Sequence, residues 1–517
     1  MSVNAVVEEL TIPEIQSKFD SGELTAHSLT QNYLERIEAL NEQGPAIRAV
    51  IEVNPDALAI AAARDQERRA GKTRGPLHGV PILLKDNIDT HDRMQTTAGS
   101  IALEGSIAPR DAFIVERLRA AGAVILGKTN LSEWANFRGQ HAVSGWSSRG
   151  GLTRNPYALD RTACGSSSGS GAAVAANLCA AAIGTETDGS IICPSQINGI
   201  VGIKPTLGLA SRSGIIPIAH SQDTPGPMAR TVTDAAILLG ALTGVDERDA
   251  ATRASQKHTL TDYTKFLDKK GLKGARIGVA QKMAGTNPHI CQVLEFAIEV
   301  IKQLGAVVID PADVPNFNKF EKTELEVLHF EFKADLNKYL ASRGPDVRVH
   351  SLEEIIQFNE EHKAQVMPYF GQEHMLTAQK KGSLSSKTYR EALAKNHRLS
   401  RREGIDVTWR EYRLDAILVP SGGPASLIDL VTGDAMNWGV ESTSVPAVSG
   451  YPHITVPAGL VFGLPVGISF ISKAWQEPTL IKFAYAFEQA TQIRTPPKFL
   501  PTAELGIEQI DGIEAHR

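Results

Sequence analysis

The sequence predicts an α/β fold, a sheet with helices on both faces. Three observations carry that expectation: short β-rich runs alternate with helical patterns, the composition suits a large core, and a Gly/Ser-rich loop leads directly into an apolar helix–strand segment. In chain order, the stretch 1–70 reads as helical, with Thr11 and Thr25 as candidate N-caps, Pro13 in a first turn, and Tyr33, Ile37 and Leu40 at helical spacing. The alternation then begins, with 80–84 as a strand, 112–121 as a helix, 123–126 as a strand and 129–137 as a helix. It resumes with a strand at 276–280, a helix at 289–304 and a strand at 306–309, and ends with strands at 416–419, 454–456 and 466–471. Between about 311 and 413 long polar helices replace the strand pattern, for example 324–340 and 388–411; that block reads equally as a helical cap or as outer helices of the same sheet. No repeat of fixed period is visible.

Of the 517 residues, 42% are hydrophobic and 21% charged, which places the chain among ordinary globular proteins. Lys and Arg number 53 against 58 Asp and Glu, a net charge of −5, so no polyanion-binding surface and no nucleic-acid partner are implied. The cysteines Cys164, Cys179, Cys193 and Cys291 are too few for a disulfide framework, and none forms a C-x-x-C pair, so a reducing compartment is expected. The N-terminal stretch carries acids where a signal peptide needs a basic start and an apolar run. The most apolar segment, 172–183, is interrupted by Asn177 and falls short of the roughly 20 residues that cross a bilayer. The expectation is a cytoplasmic protein with no membrane partner.

The run TACGSSSGSGAA, 162–173, consists only of Gly, Ala, Ser, Thr and Cys. Such a loop lets backbone approach a ligand closely and leaves amide N–H groups free to face an anion. A flexible linker is the bland alternative, but the sequence that follows, VAANLCAAAIG, reads as a buried helix running into a strand, so the loop is anchored at the core. Ser190 follows Ser166 beyond that segment, in GTETDGSIICPS, where Asp188, Gly189 and Ser190 form a tight turn after an apolar run. A serine on such a turn, with converging amides, suits a nucleophile with an oxyanion hole, although most serines in Gly-rich turns are structural. Lys85 ends the apolar run of HGVPILLKDN. Burial would lower its pKa and make it a proton acceptor; alone, it reads more simply as a lysine that reaches the surface or pairs with Asp86 or Asp89.

Two motifs are rejected on context. Gly122 to Thr129, GAVILGKT, fits the phosphate-loop pattern, but its variable positions must form an open loop and here they are themselves a strand. Gly165 to Gly169, GSSSG, fits a nucleophile elbow centred on Ser167, but no β-run precedes it and the later histidines, such as His220 and His453, lie in no triad context. The 14 histidines include no H-E-x-x-H or H-x-H, so no metal and no other cofactor are expected.

A lysine on a strand, then a Gly/Ser loop, then a second serine on a tight turn resemble, in that order, the amidase signature family of serine hydrolases. The resemblance runs through GVPILLKDN, TTAGS, GKTNLSEWAN, CGSSSGSGAAVAAN, GTETDGSIICPSQINGIVGIKPT, DTPGPMARTVTDAA, GYPHITVPAG and GLPVGISFI, and so spans most of the chain; the helical block after Pro311 is its least typical part. It implies one α/β/α unit over 1–517, built on a large mixed sheet covered by helices on both faces, with N-terminal helices over about 1–70 and the block at 311–413 as a candidate cap. It implies a Ser-Ser-Lys triad, with Ser190 as nucleophile, Ser166 as a bridging serine after a cis peptide bond, and Lys85 as base. The amides around Thr187, Asp188, Gly189 and Ser190 would form the oxyanion hole. The implied activity is hydrolysis of a carboxamide through a seryl acyl-enzyme, releasing ammonia or amine; separately from the resemblance, a monomer or homodimer is expected.

Two departures narrow the resemblance. The usual Gly-Gly-Ser-Ile-Arg reads Asp188-Gly189-Ser190-Ile191-Ile192 here, and Cys164 and Ser168 replace loop glycines. The TETDGSI form resembles the peptide amidase branch, which removes ammonia from C-terminal peptide amides. The alternative is a glutaminase-type subunit of a tRNA-dependent amidotransferase, which keeps the Gly-Gly-Ser-Ile-Arg form. A carboxylate at 188 would repel a substrate bearing a free carboxylate, which favours neutral or capped amides. Sequence does not decide which of Trp134, Phe137, Trp146 and Trp438 face a substrate.

Overall fold

The computed structural model describes residues 7–504 apart from 346, 436 and 437. Eleven strands form one mixed sheet: β1 (Val50–Val53), β2 (Pro81–Lys85), β3 (Val124–Thr129), β4 (Ala181–Glu186), β5 (Val201–Lys204), β6 (Thr224–Ala229), β7 (Arg276–Val279), β8 (Val307–Ile309), β9 (Ala416–Pro420), β10 (His453–Val461) and β11 (Leu464–Ile471). Their spatial order is β1-β3-β2-β4-β6-β5-β10-β11-β9-β7-β8. β2 runs parallel to both β3 and β4, and β7 runs parallel to β8 and β9; the other neighbours are antiparallel. Every residue of β2, β3, β4, β9 and β11 is buried, as expected of strands covered on both faces.

The two faces can be read from strand alternation. Phe470 points to the face where the helix Glu477–Thr491 lies, its ring centre 6.2 Å from that of Phe483. Its neighbour Ser469 points to the other face, with Thr455 directly across. There the helix Ile192–Ile197 packs so closely that a Cβ on Gly202 would meet Ser195 Oγ at 2.2 Å. The sheet is therefore sandwiched, as the sequence predicts.

The N-terminal caps are as expected, with Thr11 capping Ile12–Ser21 in a capping box with Glu14 and Thr25 capping Ala26–Ile37, but the stretch 1–70 is not helical throughout, because β1 occupies Val50–Val53. The start of that stretch, 1–6, lies outside the described residues. The 311–413 block contains helices, among them Glu321–Ala341, Leu352–Glu361 and Lys387–His397. The long helix expected at 388–411 is interrupted after His397 by a wider-wound stretch, with Gly404 outside helical geometry, before Asp406–Tyr412.

Three strands of this sheet escape the sequence reading, β1, β5 and β6, as does a separate two-residue pair, Trp146–Ser147 with Gly151–Leu152, and one expected helix is absent. Segment 129–137 is the end of β3 followed by a short turn, in which Trp134, Ala135 and Asn136 have φ of 54°, 53° and 72°. Three consecutive left-handed residues exclude an α-helix. β6, TPGPMA, carries two prolines and therefore looks unlike a strand. It pairs along its whole length with β4 but with β5 only at Met228 and Ala229, so Pro225 and Pro227 have no ladder bond to lose on that side. Gly226 is fixed by packing, because a Cβ there would sit 2.1 Å from the Ile203 carbonyl oxygen. Gly226→Ala is expected to destabilise the fold by about 1–3 kcal/mol or more, read as a lower thermal unfolding midpoint.

Candidate active site

β2 ends inside the protein, flanked by β3 and β4, so Lys85 cannot reach water. Its Nζ lies 2.7 Å from Ser166 Oγ, 2.9 Å from Thr185 Oγ1 and 3.2 Å from the Thr185 carbonyl oxygen. Burial pushes the amine down from its ordinary value to about 7, against the partial opposition of Asp223 and Glu186. Neither acid that the simpler reading offers is its partner. Asp86 accepts from Thr97 and the Gly99 N–H, and Asp89 pairs with Arg343 at 3.1 Å and accepts from Tyr339 at 2.8 Å.

The Gly/Ser loop holds Ser166 against this amine. The Gly165–Ser166 peptide bond is cis, and the Ser166 carbonyl accepts from the Ser132 N–H at 3.1 Å. Ser167, the rejected nucleophile, is buried and knits the loop to β4: its hydroxyl donates to the Thr185 carbonyl at 3.1 Å and accepts the Thr185 N–H at 3.2 Å. Its own N–H donates to the Ser190 carbonyl at 3.2 Å. The two serine-bearing segments are also joined covalently, since Cys164 and Cys193 form a disulfide with Cα atoms 6.1 Å apart. This corrects the reading of the cysteines: two of the four are paired, and the argument from them for a reducing compartment loses its basis. The pairing joins residues 29 apart that have no local pattern in common.

Ser190 sits on the turn between β4 and the helix Ile192–Ile197. The backbone N–H groups of Asp188, Gly189 and Ser190 lie past the last ladder residue and before the first helical one, outside both hydrogen-bonding patterns. Gly189 has φ 75°, the left-handed geometry that a tight turn asks of glycine. Glu186 fixes the turn from below by accepting the Ile191 and Ile192 N–H groups at 2.7 and 3.0 Å. Thr187 donates its hydroxyl to Asp223 at 2.6 Å, and its carbonyl accepts from Gln222 at 3.2 Å. Thr187 therefore holds the turn with its side chain.

A cavity of about 380 Å³ opens at this turn and is lined by Thr187, Asp188, Gly189 and Ser190 together with the disulfide. Phe137 and Trp438 form part of its wall, whereas Trp134 and Trp146 are core. Trp438 rests on Gly423, where a Cβ would come within 2.1 Å of its ring. The helix Glu321–Ala341 contributes Leu328 to the wall and Glu324 behind it. Burial and the neighbouring Asp188 carboxylate raise Glu324 well above the usual range, so it stays protonated and donates to Asp188. The sequence offers no hint of this partner, which comes from the helical block, far along the chain from Asp188. Asn136, also on the wall, was likewise missed; the left-handed turn that presents it has no propensity signature.

In space His220, Glu331 and Asp335 converge, which local histidine motifs could not reveal. His220 Nδ1 lies 2.7 Å from Asp335 and Nε2 lies 3.4 Å from Glu331, an ion-pair geometry that a protonated imidazole satisfies.

The profile of the family described as Amidase matches residues 28–481. The chain belongs to the amidase family. A protein of Arabidopsis thaliana described as a probable amidase is 44% identical over 505 residues, covering 96% of this chain and 92% of the relative. The native peptide amidase of Stenotrophomonas maltophilia superposes with a TM-score of 0.91 at 49% identity, over 96% of this chain and 99% of that one. A glutamyl-tRNA(Gln) amidotransferase subunit of Thermosynechococcus vestitus is more distant, 35% identical over 93% of this chain and 98% of its own length. The chain is thus an amide-hydrolysing enzyme whose similarity leans towards the peptide amidases, as its motifs predict.

Thiol titration of the unfolded, unreduced amidase is expected to find two thiols, Cys179 and Cys291, and four after reduction. Four before reduction would contradict the pairing.

Proposed function

We propose that this amidase hydrolyses C-terminal peptide amides, or other small neutral amides, through a Ser190 acyl-enzyme. The observation that carries the reading is the triple contact of Lys85 Nζ. A neutral amine has two N–H donors and one lone pair. Thr185 supplies two acceptors, Oγ1 and the carbonyl, which leaves the lone pair for the Ser166 hydroxyl proton. Ser166 can then accept the Ser190 proton as Ser190 attacks the amide carbonyl. The N–H groups of Asp188, Gly189 and Ser190 face the developing oxyanion, the stabilisation that usually contributes most. Lys85, now an ammonium, returns the proton through Ser166 to the leaving nitrogen, ammonia departs, and water attacks the acyl-enzyme by the same relay.

Asp188 supports the substrate class. Asp188 borders the cavity beside Ser190, with Glu324 against it. A carboxylate on that wall suits an N–H donor such as a carboxamide and repels a free carboxylate. The apolar walls supplied by Phe137, Leu328 and Trp438 suit the acyl part of the substrate. In this reading the helical block acts as a cap over one amidase domain, since Leu328 and Glu324 reach the site from it. Glutaminase action within an amidotransferase is the weaker reading, because free glutamine would bring its α-carboxylate towards Asp188.

Ser190→Ala and Lys85→Ala are expected to abolish ammonia release from a peptide amide, and Ser167→Ala to retain most of it. Full activity in either of the first two would reject the triad. For the wild type, kcat/KM is expected to fall as pH drops through about 7, because a lysine whose value is lowered to about 7 loses its lone pair below it. A panel of peptide amides, glutamine, and aryl and fatty amides, assayed with the purified chain alone, tests the substrate class. Glutamine turned over as fast as a capped peptide amide would count against it.

A further inference from the structure

The cavity wall away from Ser190 carries a second hydroxyl relay that the proposed chemistry does not use. Ser421, the residue after β9, lines the cavity, and its N–H donates to the Gly467 carbonyl at 2.8 Å. Its Oγ lies 2.6 Å from Thr455 Oγ1 and 2.8 Å from Ser469 Oγ, and Ser469 Oγ lies 2.5 Å from His453 Nε2. These groups share the sheet face on which the helix after Ser190 packs. Thr455 is directly opposite Ser469, and His453 is opposite Lys204. The opposite face of the same strands is apolar, with Ile454, Val456, Ile468 and Phe470. Polar groups buried where hydrocarbon would pack cost free energy unless each bond has a use, so the chain of hydroxyls calls for an explanation.

The direction of that chain follows from the imidazole. The ring is fully buried, and Nδ1 has no partner among the described residues. A bare lone pair tolerates that position better than an orphaned N–H, more so beside the Lys204 ammonium. The proton is therefore on Nε2 and is donated to Ser469, which must in turn donate to Ser421. Among the described residues the Thr455 hydroxyl has no acceptor other than Ser421 Oγ, so Thr455 donates to it as well, both lone pairs of the Ser421 oxygen are filled, and its own proton is left for the cavity.

We propose that Ser421 binds the acyl part of the substrate amide by donating its hydroxyl proton to it, and that His453 and Ser469 are positioning residues that set the direction of that proton. With ammonia as the leaving group, everything bound away from Ser190 belongs to the acyl part, and an acyl carbonyl, such as a peptide main-chain one, is the acceptor that this hydroxyl fits. The proposal rests on the functional reading only in requiring that an amide occupy the cavity.

The test is a double-mutant cycle read on KM and kcat, using whichever amide of the panel the wild type hydrolyses best. Ser421→Ala is expected to raise KM about 3- to 10-fold, the size of one net hydrogen bond, with kcat within about twofold. His453→Leu and Ser469→Ala should each raise KM, His453→Gln should restore much of the loss because its amide can donate where Nε2 does, and Ser421→Ala/His453→Leu should be no worse than Ser421→Ala alone. Multiplying effects in the double variant, an unchanged KM in Ser421→Ala, or kcat falling in step with kcat/KM would overturn the proposal. If His453→Leu does not fold, the Ser421/Ser469 pair gives the same cycle. Wild type that turns over other amides but no peptide amide refutes the substrate class and leaves this cycle readable.

Discussion

Keeping one amine out of water organises the centre of this amidase. Lys85 can be buried because its strand is flanked on both sides by parallel neighbours, and because β4 brings Thr185 to within hydrogen-bond distance. A charged ammonium there would have three donors facing two acceptors of one threonine and a serine, with no carboxylate in contact. Asp223 and Glu186 are near enough to moderate the cost of charge, yet both are committed elsewhere. Asp223 accepts from Thr187, Ile218 and Ala219, and Glu186 caps the helix after Ser190. The groups that tune the lysine are therefore the groups that shape the Ser190 turn, so proton affinity and geometry are set by the same contacts.

Two other buried strand lysines show that burial alone does not make such a site. Lys128, in the rejected phosphate-loop match, donates to the Ile88 carbonyl at 2.7 Å and to Thr96 at 3.0 Å, among Asp86, Asp89, Asp92 and Glu52. Lys204 is lowered to about 8 by burial, with Glu186 and Glu477 opposing. Each has a perturbed proton affinity, but among the described residues neither is joined by a hydroxyl to the cavity. What distinguishes Lys85 is Ser166, placed by a loop whose small residues allow it to approach neighbouring backbone closely. Gly169, for example, could not carry a Cβ, which would lie 2.2 Å from the Ala49 carbonyl.

The same contrast explains how much the sequence disclosed. Strands that are apolar throughout, such as β2 and β9, and helices with clear caps, such as Ile12–Ser21, declare themselves through local pattern. β6 does not, because its prolines are permitted by a gap in its neighbour's pairing, a property of the sheet and not of the segment. Lys85, Ser166 and Ser190, the residues of the proposed triad, stood out in the sequence by their order and resemblance, and the structure places Lys85 Nζ 2.7 Å from Ser166 Oγ and Ser190 on the cavity wall. The disulfide, the Glu324 contact and the Asn136 turn did not stand out, because each depends on residues brought together from distant segments or on a backbone shape that no propensity encodes.

The Asp188–Glu324 contact also joins the helical block to the electrostatics of the site. Glu324 is buried against Asp188, and burial together with that neighbouring carboxylate raises its proton affinity. Gln222 bridges Glu324 at 2.9 Å to the Thr187 carbonyl at 3.2 Å. Displacing the helix Glu321–Ala341 would return Glu324 to water, where it would ionise, and would remove the proton donor from Asp188. Seating of the helical block and protonation of Glu324 are therefore linked.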